Sequence, residues 1–308
     1  MTSSSLIGRV ALVAGATRGA GRAIAVELAR TGAHVYATGR SSREVGRSEI
    51  NRPETIEETG DLIIAAGGEG TALVVDHEDP DAVAALVARI DGEHGRLDVL
   101  VNDIFGGDRY AQWDKPIWEH DLAGGLRMLR MGVDTHLVTS AKAIPLILRS
   151  GGGLVVEMTD GTSSFNANFR EGVGFYYDLV KANVERIVKG LTFELREQPV
   201  TALGVTPGWL RSENMLEGFG VTEENWRDAL GETPGFAISE SPTYVARGVA
   251  ALAADPDIQR FAGRILTARE LADTYRTTDT DGSRPDCWGY IDVVGVDHES
   301  DDRVEEFR

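Results

Sequence analysis

The chain has 308 residues, of which 42% are hydrophobic and 26% are charged, values close to those of ordinary soluble globular proteins. Its formal net charge of −18 argues against nucleic acid and anionic membranes as partners, because both require basic surfaces on the protein. A single cysteine, Cys287, excludes an intrachain disulfide. No basic segment precedes the first apolar stretch, and no run reaches the ~20 apolar residues of a membrane helix. We therefore expect a cytoplasmic protein that binds neither nucleic acid nor membrane.

Short apolar runs rich in β-branched residues alternate with helical patterns along the whole chain. The runs are nearly continuous in apolarity, which is typical of strands buried on both faces. The predicted strands are Val10–Ala14, His34–Thr38, Ala72–Asp76, Leu97–Asn102, Leu154–Met158, Thr201–Thr206 and Arg264–Leu266. The predicted helices are Gly19–Arg30, Glu54–Ala66, Pro80–Glu93, Leu122–Leu148, Tyr176–Arg196 and Pro242–Ala254. Asp79 and Ser241, each followed by proline, are the predicted N-caps of two of these helices.

This alternation predicts an α/β fold with a doubly wound parallel sheet of about seven strands and helices on both faces. No repeat or linker divides residues 1–308, so we expect a single domain. Residues 209–240 form a long connection with four aromatic residues, and we interpret it as a lid. Residues 273–308 form an acidic extension with 11 acidic and 4 basic residues. We expect its end, from His298 on, to be frayed.

A glycine-rich loop, Gly15-Ala-Thr-Arg-Gly19-Ala-Gly21, directly follows the first predicted strand and opens the first predicted helix. Glycines at such a junction allow the backbone to turn tightly and to approach a pyrophosphate at the helix N-terminus. In its strand–turn–helix context, the loop predicts a Rossmann-type dinucleotide-binding site.

The spacing of these glycines resembles that of the short-chain dehydrogenase/reductase family. The resemblance extends from about Gly8 to Leu266 and includes the segments Tyr177-Asp-Leu-Val-Lys181 and Pro207-Gly208, together with Asp76 and Asn102. It implies an oxidoreductase that interconverts a carbonyl and an alcohol on a small substrate, and a homodimer or homotetramer. It assigns cofactor contacts to Gly15, Thr17, Arg18, Gly19, Gly21, Arg40, Asp76, Asn102, Tyr177, Lys181, Pro207 and Gly208.

The expected cofactor is NADP(H) rather than NAD(H). Members of the family that prefer NAD carry an acid at the end of the second strand, where it binds the ribose hydroxyls. This chain has Gly39 there, followed by Arg40, and Arg18 lies within the glycine loop. Two guanidinium groups without a carboxylate suit a 2′-phosphate. The aromatic residues of the lid further suggest an apolar or aromatic substrate.

Tyr177 and Lys181 are four residues apart on a predicted helix, so they share one face. A neighbouring ammonium group favours the phenolate, as a general acid–base near neutral pH requires. The resemblance assigns this role to Tyr177 and makes Lys181 its activator.

Alignment on the fifth strand places Asp160 where the resembling family has its catalytic serine, whereas the family's usual spacing from the tyrosine points to Ser164. An ionised aspartate cannot donate a hydrogen bond, so three alternatives remain open. Thr159 or Thr162 supplies the hydroxyl, Ser164 does so through a shifted loop, or Asp160 acts in its protonated form.

The family's asparagine on the central helix also has no counterpart, because the corresponding residue is Gly132. Asp134 and His136 are close enough to be substitutes, but we favour the interpretation that they are ordinary helix residues. The histidines lack metal-binding spacing, so no metal site is predicted. The altered positions leave two alternatives to a carbonyl reductase: a non-catalytic NADP-binding regulator, or a lyase or isomerase that uses Asp160 as a base.

Overall fold

Seven parallel strands form one sheet at the centre of the computed structural model, which describes residues 5–295 and 302–308. The strands are β1 (Val10–Ala14), β2 (His34–Gly39), β3 (Glu69–Val74), β4 (Val99–Asn102), β5 (Gly153–Met158), β6 (Val200–Thr206) and β7 (Ile265–Thr267). Their order across the sheet is β3-β2-β1-β4-β5-β6-β7. The chain reverses its direction of progress between β1 and β4, which is where doubly wound sheets bind their ligands. The predicted Rossmann-type fold is confirmed.

Helices cover both faces of this sheet. They are α1 (Gly19–Arg30), α2 (Ile56–Ala65), α3 (Pro80–His94), α4 (Leu122–Leu129), α5 (Thr135–Arg149), α6 (Phe175–Glu194), α7 (Glu213–Gly218), α8 (Pro242–Ala253), α9 (Ala268–Tyr275) and α10 (Cys287–Val294). Alternate residues of β1 belong to two separate cores, one shared with α1 and α8 and the other with α3 and α5. Within the described ranges, no helix combines the length and apolarity needed to cross a membrane.

The third strand lies earlier in the chain than the sequence predicted. It spans Glu69–Val74 rather than Ala72–Asp76, so Asp76 follows the strand by two residues. The reason is that β3 is an edge strand whose side chains are only partly buried. Its first residues therefore need not be apolar, and apolar continuity is a poor guide to where such a strand begins.

The predicted helix over Leu122–Leu148 is interrupted by a π-helical turn over Arg130–Asp134. Gly132 lies within this turn, and a Cβ atom there would collide with the side chain of Val180 on α6. π-turns occur mostly as single turns inside α-helices, and this one depends on packing against α6, so the sequence did not reveal it. The glycine allows α6 to pack closely against the interrupted helix.

The end of the acidic extension is ordered where the structure describes it. Asp302–Phe307 form a 3-10 helix, the ring of Phe307 packs against Tyr290 at 5.6 Å, and Arg308 forms an ion pair with Asp281 at 2.7 Å. The expectation of fraying is therefore wrong for residues 302–308. The remainder of that segment, 298–301, lies outside the described residues.

The two predicted helix caps differ. Asp79 accepts hydrogen bonds from the backbone N–H groups of Asp81 and Ala82, as predicted. Ser241 precedes α8 but makes no capping bond, because its hydroxyl donates instead to the buried carboxylate of Asp279. The side chain thus joins the acidic extension to the start of α8.

Candidate active site

A cavity of about 1070 Å³ opens at the carboxyl ends of the strands. It brings together most of the residues that the sequence singled out: Gly15, Thr17, Arg18, Gly19, Arg40, Asp76, Thr159, Asp160, Tyr177, Lys181, Pro207 and Gly208. Gly21 and Asn102 do not line this cavity. Its size is at the upper end of the range for ligand sites, so it can hold a large molecule.

The glycine loop connects β1 to α1 at one end of the cavity. Gly15 has a φ of +89°, and a Cβ atom on it would collide with the backbone of Asp103 after β4. A Cβ atom on Gly21 would likewise collide with the carbonyl oxygen of Gly15. The backbone N–H of Gly19, the first residue of α1, donates a hydrogen bond to the Glu213 carboxylate of α7 at 2.8 Å. An acidic group is thus held at the positive end of the α1 dipole.

A network of charges lies where β2 ends. Arg40 forms ion pairs with Glu49 at 3.1 Å and with Glu78 at 3.2 Å. Arg127 of α4 bridges the same two carboxylates, at 2.5 Å each. Arg18, by contrast, makes no ion pair with any described residue. The expectation of guanidinium groups without a carboxylate is therefore wrong for Arg40, which is paired with two.

Gly39 at the end of β2 packs closely against the side chain of Thr17. A Cβ atom there would collide with the hydroxyl of Thr17 in the glycine loop. A larger residue at this position would therefore require the side chain of Thr17 to rotate away.

Tyr177 lies in the first turn of α6, beside Asp160 at the end of β5. The tyrosine hydroxyl is 3.3 Å from Asp160 Oδ2, and the same oxygen accepts a hydrogen bond from Arg170 Nη1 at 3.0 Å. The guanidinium of Arg170 is buried and lies 5.5 Å from the centre of the Tyr177 ring. Asp160 thus lies directly beside the hydroxyl of Tyr177.

Burial raises the pKa of Tyr177 well above its ordinary value, and the negative charges of Asp160 and Asp108 raise it further. Arg170 acts in the opposite direction, but its effect is smaller. The phenol is therefore protonated at neutral pH. The expectation that Lys181 lowers the pKa of Tyr177 is therefore wrong, because burial and the nearby carboxylates outweigh the effect of the lysine. The protonated phenol can still donate a proton.

Lys181 lies one turn after Tyr177 on the same face of α6. Its Nζ is 3.8 Å from the centre of the Phe105 ring and 5.5 Å from the centre of the Tyr177 ring. The hydroxyl of Thr159 donates to the backbone carbonyl of Lys181 at 2.9 Å. Thr159 therefore joins the end of β5 to α6 and helps to fix the position of the lysine.

The other hydroxyl groups considered for the serine role lie farther along the loop. Thr162 and Ser164 bond to each other at 3.0 Å, and no hydrogen bond joins either side chain to Tyr177. Among the described side chains, Asp160 is the one within hydrogen-bonding distance of the Tyr177 hydroxyl.

Behind the cavity, a buried polar network joins β4, β5 and α5. Glu157 accepts hydrogen bonds from Asn102 at 2.8 Å and from Ser140 at 3.1 Å, and it contacts His136 Nδ1 at 2.6 Å. Burial alone would lower the pKa of His136, but the adjacent Glu157 carboxylate raises it overall. Asn102 and His136 thus belong to an internal ion-pair network. Asp134, the other substitute considered, is exposed.

Sequence reasoning missed four residues of the cavity wall. Asp103 follows β4, and burial raises the pKa of its carboxyl to about 6. Arg170 carried no recognisable motif. Cys287 and Trp288 begin α10, where Cys287 Sγ accepts the Trp209 N–H at 3.2 Å and the Trp288 indole donates to the Pro207 carbonyl at 2.8 Å.

The aromatic residues of the predicted lid pack mainly on one another. Phe236 lies within 6 Å of Trp209, Phe219 and Trp226, measured between ring centres. Of these four residues, Trp209 also lines the cavity. The segment therefore has a small core of its own.

Comparison with known proteins agrees with this geometry. Residues 9–219 match the family model described as short chain dehydrogenase. The dehydrogenase/reductase SDR family member 1 of Mus musculus is 32% identical over 281 residues, which cover 89% of this chain and 84% of that protein. The 7alpha-hydroxysteroid dehydrogenase of Clostridium sardiniense is 26% identical over 233 residues, covering 74% and 80% of the two chains.

A solved structure shows the same relationship. The crystal structure of a dehydrogenase/reductase from Sinorhizobium meliloti 1021 has a TM-score of 0.67 and 25% sequence identity, covering 86% of this chain and 95% of that one. The chain belongs to the short chain dehydrogenase family. The predicted enzyme class, an oxidoreductase of the dehydrogenase/reductase type, is confirmed.

Proposed function

We propose that this oxidoreductase depends on NADP(H) and interconverts a carbonyl and an alcohol, with Tyr177 as the general acid–base. The observation that carries the proposal is the protonated, buried Tyr177 hydroxyl, held in the same cavity as Lys181 and the glycine loop.

The residues of the glycine loop fit a dinucleotide. Gly15 packs closely against Asp103, so no side chain covers the loop backbone at this point. The first N–H of α1, that of Gly19, already binds an acidic group, the carboxylate of Glu213. The pyrophosphate would bind at Gly15, Thr17 and Gly19, with Gly21 shaping the loop. Asp76 would bind the adenine, Pro207 and Gly208 the nicotinamide, and Asn102 would support the site through its buried network.

Arg18 and Arg40 would hold the 2′-phosphate of NADP(H). Arg18 has no ion-pair partner among the described residues, and Arg40 is already paired with two carboxylates. The glycine at position 39, where NAD-preferring members carry an acid, also favours NADP(H) over NAD(H). When bound, this cofactor supplies the hydride.

Tyr177 donates its proton to the carbonyl oxygen as negative charge develops there, so the product is a neutral alcohol. The proton lost from Tyr177 is replaced from solvent, and the positive charge of Lys181 stabilises the transient phenolate. The protonated phenol is the form of Tyr177 that carbonyl reduction requires. Thr159 positions Lys181 through the carbonyl of that residue, and Asp160 occupies the serine position.

We further propose a single-domain enzyme of the cytoplasm that acts on an apolar or aromatic small molecule. Phe105, Phe165 and Trp288 in the cavity wall support this substrate class, and residues 209–240 would act as the lid. A homodimer or homotetramer would cover the exposed apolar side chains of the central helices, which include Leu126, Leu137 and Phe193.

The experiment that tests the proposal measures NADPH oxidation with a panel of aromatic ketones and aldehydes. Tyr177→Phe should lower kcat/KM by about 100-fold or more, because it removes the general acid. Tyr176→Phe is the matched control, since the neighbouring tyrosine is buried outside the cavity, and it should stay within a few-fold of the wild type. Full activity of Tyr177→Phe would overturn the mechanism. Tight NADPH binding without turnover of any carbonyl would favour a regulatory protein instead.

A further inference from the structure

Asp160 presents a carboxylate oxygen to the cavity. Its Oδ2 atom is already used by Arg170 and Tyr177, at 3.0 and 3.3 Å. Among the described residues, none donates a hydrogen bond to Oδ1. The side chain is 38% exposed and forms part of the cavity wall. An acceptor therefore lies next to the proposed general acid, where the family has a hydroxyl donor.

The charge around this acceptor is negative. Arg170 pairs not only with Asp160 but also with Asp178, through Nε at 3.3 Å. One guanidinium thus lies between two carboxylates, and Asp108 adds another negative charge close enough to raise the pKa of Tyr177. Such a group repels substrate carboxylates and attracts hydrogen-bond donors.

A simple ketone would fit this arrangement poorly. When its carbonyl oxygen accepts the Tyr177 proton, Asp160 Oδ2 loses its hydrogen bond from Tyr177, and the carbonyl oxygen faces a carboxylate. Two acceptors then lie side by side without a proton between them, which is unfavourable in a cavity partly shielded from water.

A hydroxyl group on the neighbouring carbon removes this conflict, because it can donate to Asp160 while the carbonyl accepts from Tyr177. The two oxygens of such a substrate lie about as far apart as Tyr177 and Asp160 do. We propose that Asp160 is a specificity-determining residue that selects α-hydroxy ketones, which the enzyme reduces to vicinal diols. This inference rests on the proposed carbonyl reduction and names its substrate class.

Three probes of similar shape test the inference: acetophenone, α-hydroxyacetophenone and α-methoxyacetophenone. The methoxy compound retains the oxygen but has no proton to donate. The wild type should prefer the hydroxy compound to the methoxy compound by about 10- to 100-fold in kcat/KM, the range of a hydrogen bond to a charged group. Asp160→Ser should reduce this ratio to within about threefold, because serine can donate to either compound.

Asp108→Asn is the matched control, because it removes one negative charge from the same cavity without touching Tyr177, and it should keep the wild-type ratio. If Asp160→Ser is inactive or unfolded, Asp160→Asn provides the same comparison with an isosteric side chain and should lower the ratio. Equal use of all three ketones by the wild type, or an unchanged ratio in an active Asp160 variant, would overturn the inference and leave the proposed function standing. Failure to oxidise NADPH with any carbonyl compound would overturn the proposed function itself.

Discussion

Asp103 offers a sharp test of how the cavity is built. Its carboxyl lies between the glycine loop and Lys181, and it accepts a hydrogen bond from the Gly21 N–H. Burial raises its pKa from 3.8 to about 6, despite the opposing effect of Lys181. The Asp103→Asn variant keeps the shape of the side chain and its acceptor oxygen, but the amide has no proton to lose in this pH range.

The expected change in stability follows from the pKa of Asp103 in the unfolded chain, 3.8, and in the folded protein, about 6. Each pKa unit corresponds to about 1.4 kcal/mol, so the ionised carboxylate costs up to about 3 kcal/mol of folding free energy above pH 6. Between pH 4 and 6 the folded protein retains a proton that the unfolded chain has lost, so wild-type stability falls as the pH rises through this window. The stability of the Asp103→Asn variant should not fall in this way, because its side chain does not ionise.

Urea unfolding of both proteins without cofactor, from pH 4 to pH 8, measures this difference. The variant should match the wild type near pH 4 and exceed it by up to about 3 kcal/mol at pH 7. Asp108→Asn controls for the removal of a negative charge, and its effect should be smaller because that side chain is exposed. A difference that stays constant over this pH range would refute the reasoning.

Two further predictions concern charges that the sequence did not reveal. Glu157→Gln should lower the unfolding free energy by about 3 kcal/mol, because it leaves His136 buried without its counter-ion. Since the pKa of His136 is raised, urea unfolding should show the largest loss below pH 6.5 and a shrinking loss at alkaline pH. Glu213→Gln should raise the affinity for NADPH several-fold, because the phosphate no longer displaces a charged acceptor from Gly19, and calorimetry showing unchanged or weaker binding would contradict this.

The central strands could be predicted closely because burial on both faces leaves a continuous apolar signal in the sequence. Val10–Ala14 is an example, since both cores draw residues from it. The edge strand and the π-turn could not be located in the same way. Glu69 at the start of β3 is exposed, and the π-turn around Gly132 depends on Val180, which lies far away in the sequence.

The candidate site could be predicted where local spacing determines geometry. Tyr177 and Lys181 are one helical turn apart, and the glycines lie at a strand–helix junction, so both could be placed from the sequence. Residues that are distant in the sequence and meet only in the folded protein could not be paired from local spacing. Arg170 reaches Asp160 from a loop without periodicity, and Glu213 reaches the N-terminus of α1 across 194 positions of sequence.

The contribution of α10 to the cavity has a consequence for how the enzyme can diversify. The family match ends at residue 219, whereas Trp288 reaches back from the acidic extension to bond the Pro207 carbonyl and to pack on Phe165. The glycine loop and Tyr177 come from the matched part of the chain. Substitutions in α10 can therefore reshape the substrate side of the cavity while leaving the residues around Tyr177 unchanged. Libraries directed at this helix are a practical route to altered selectivity.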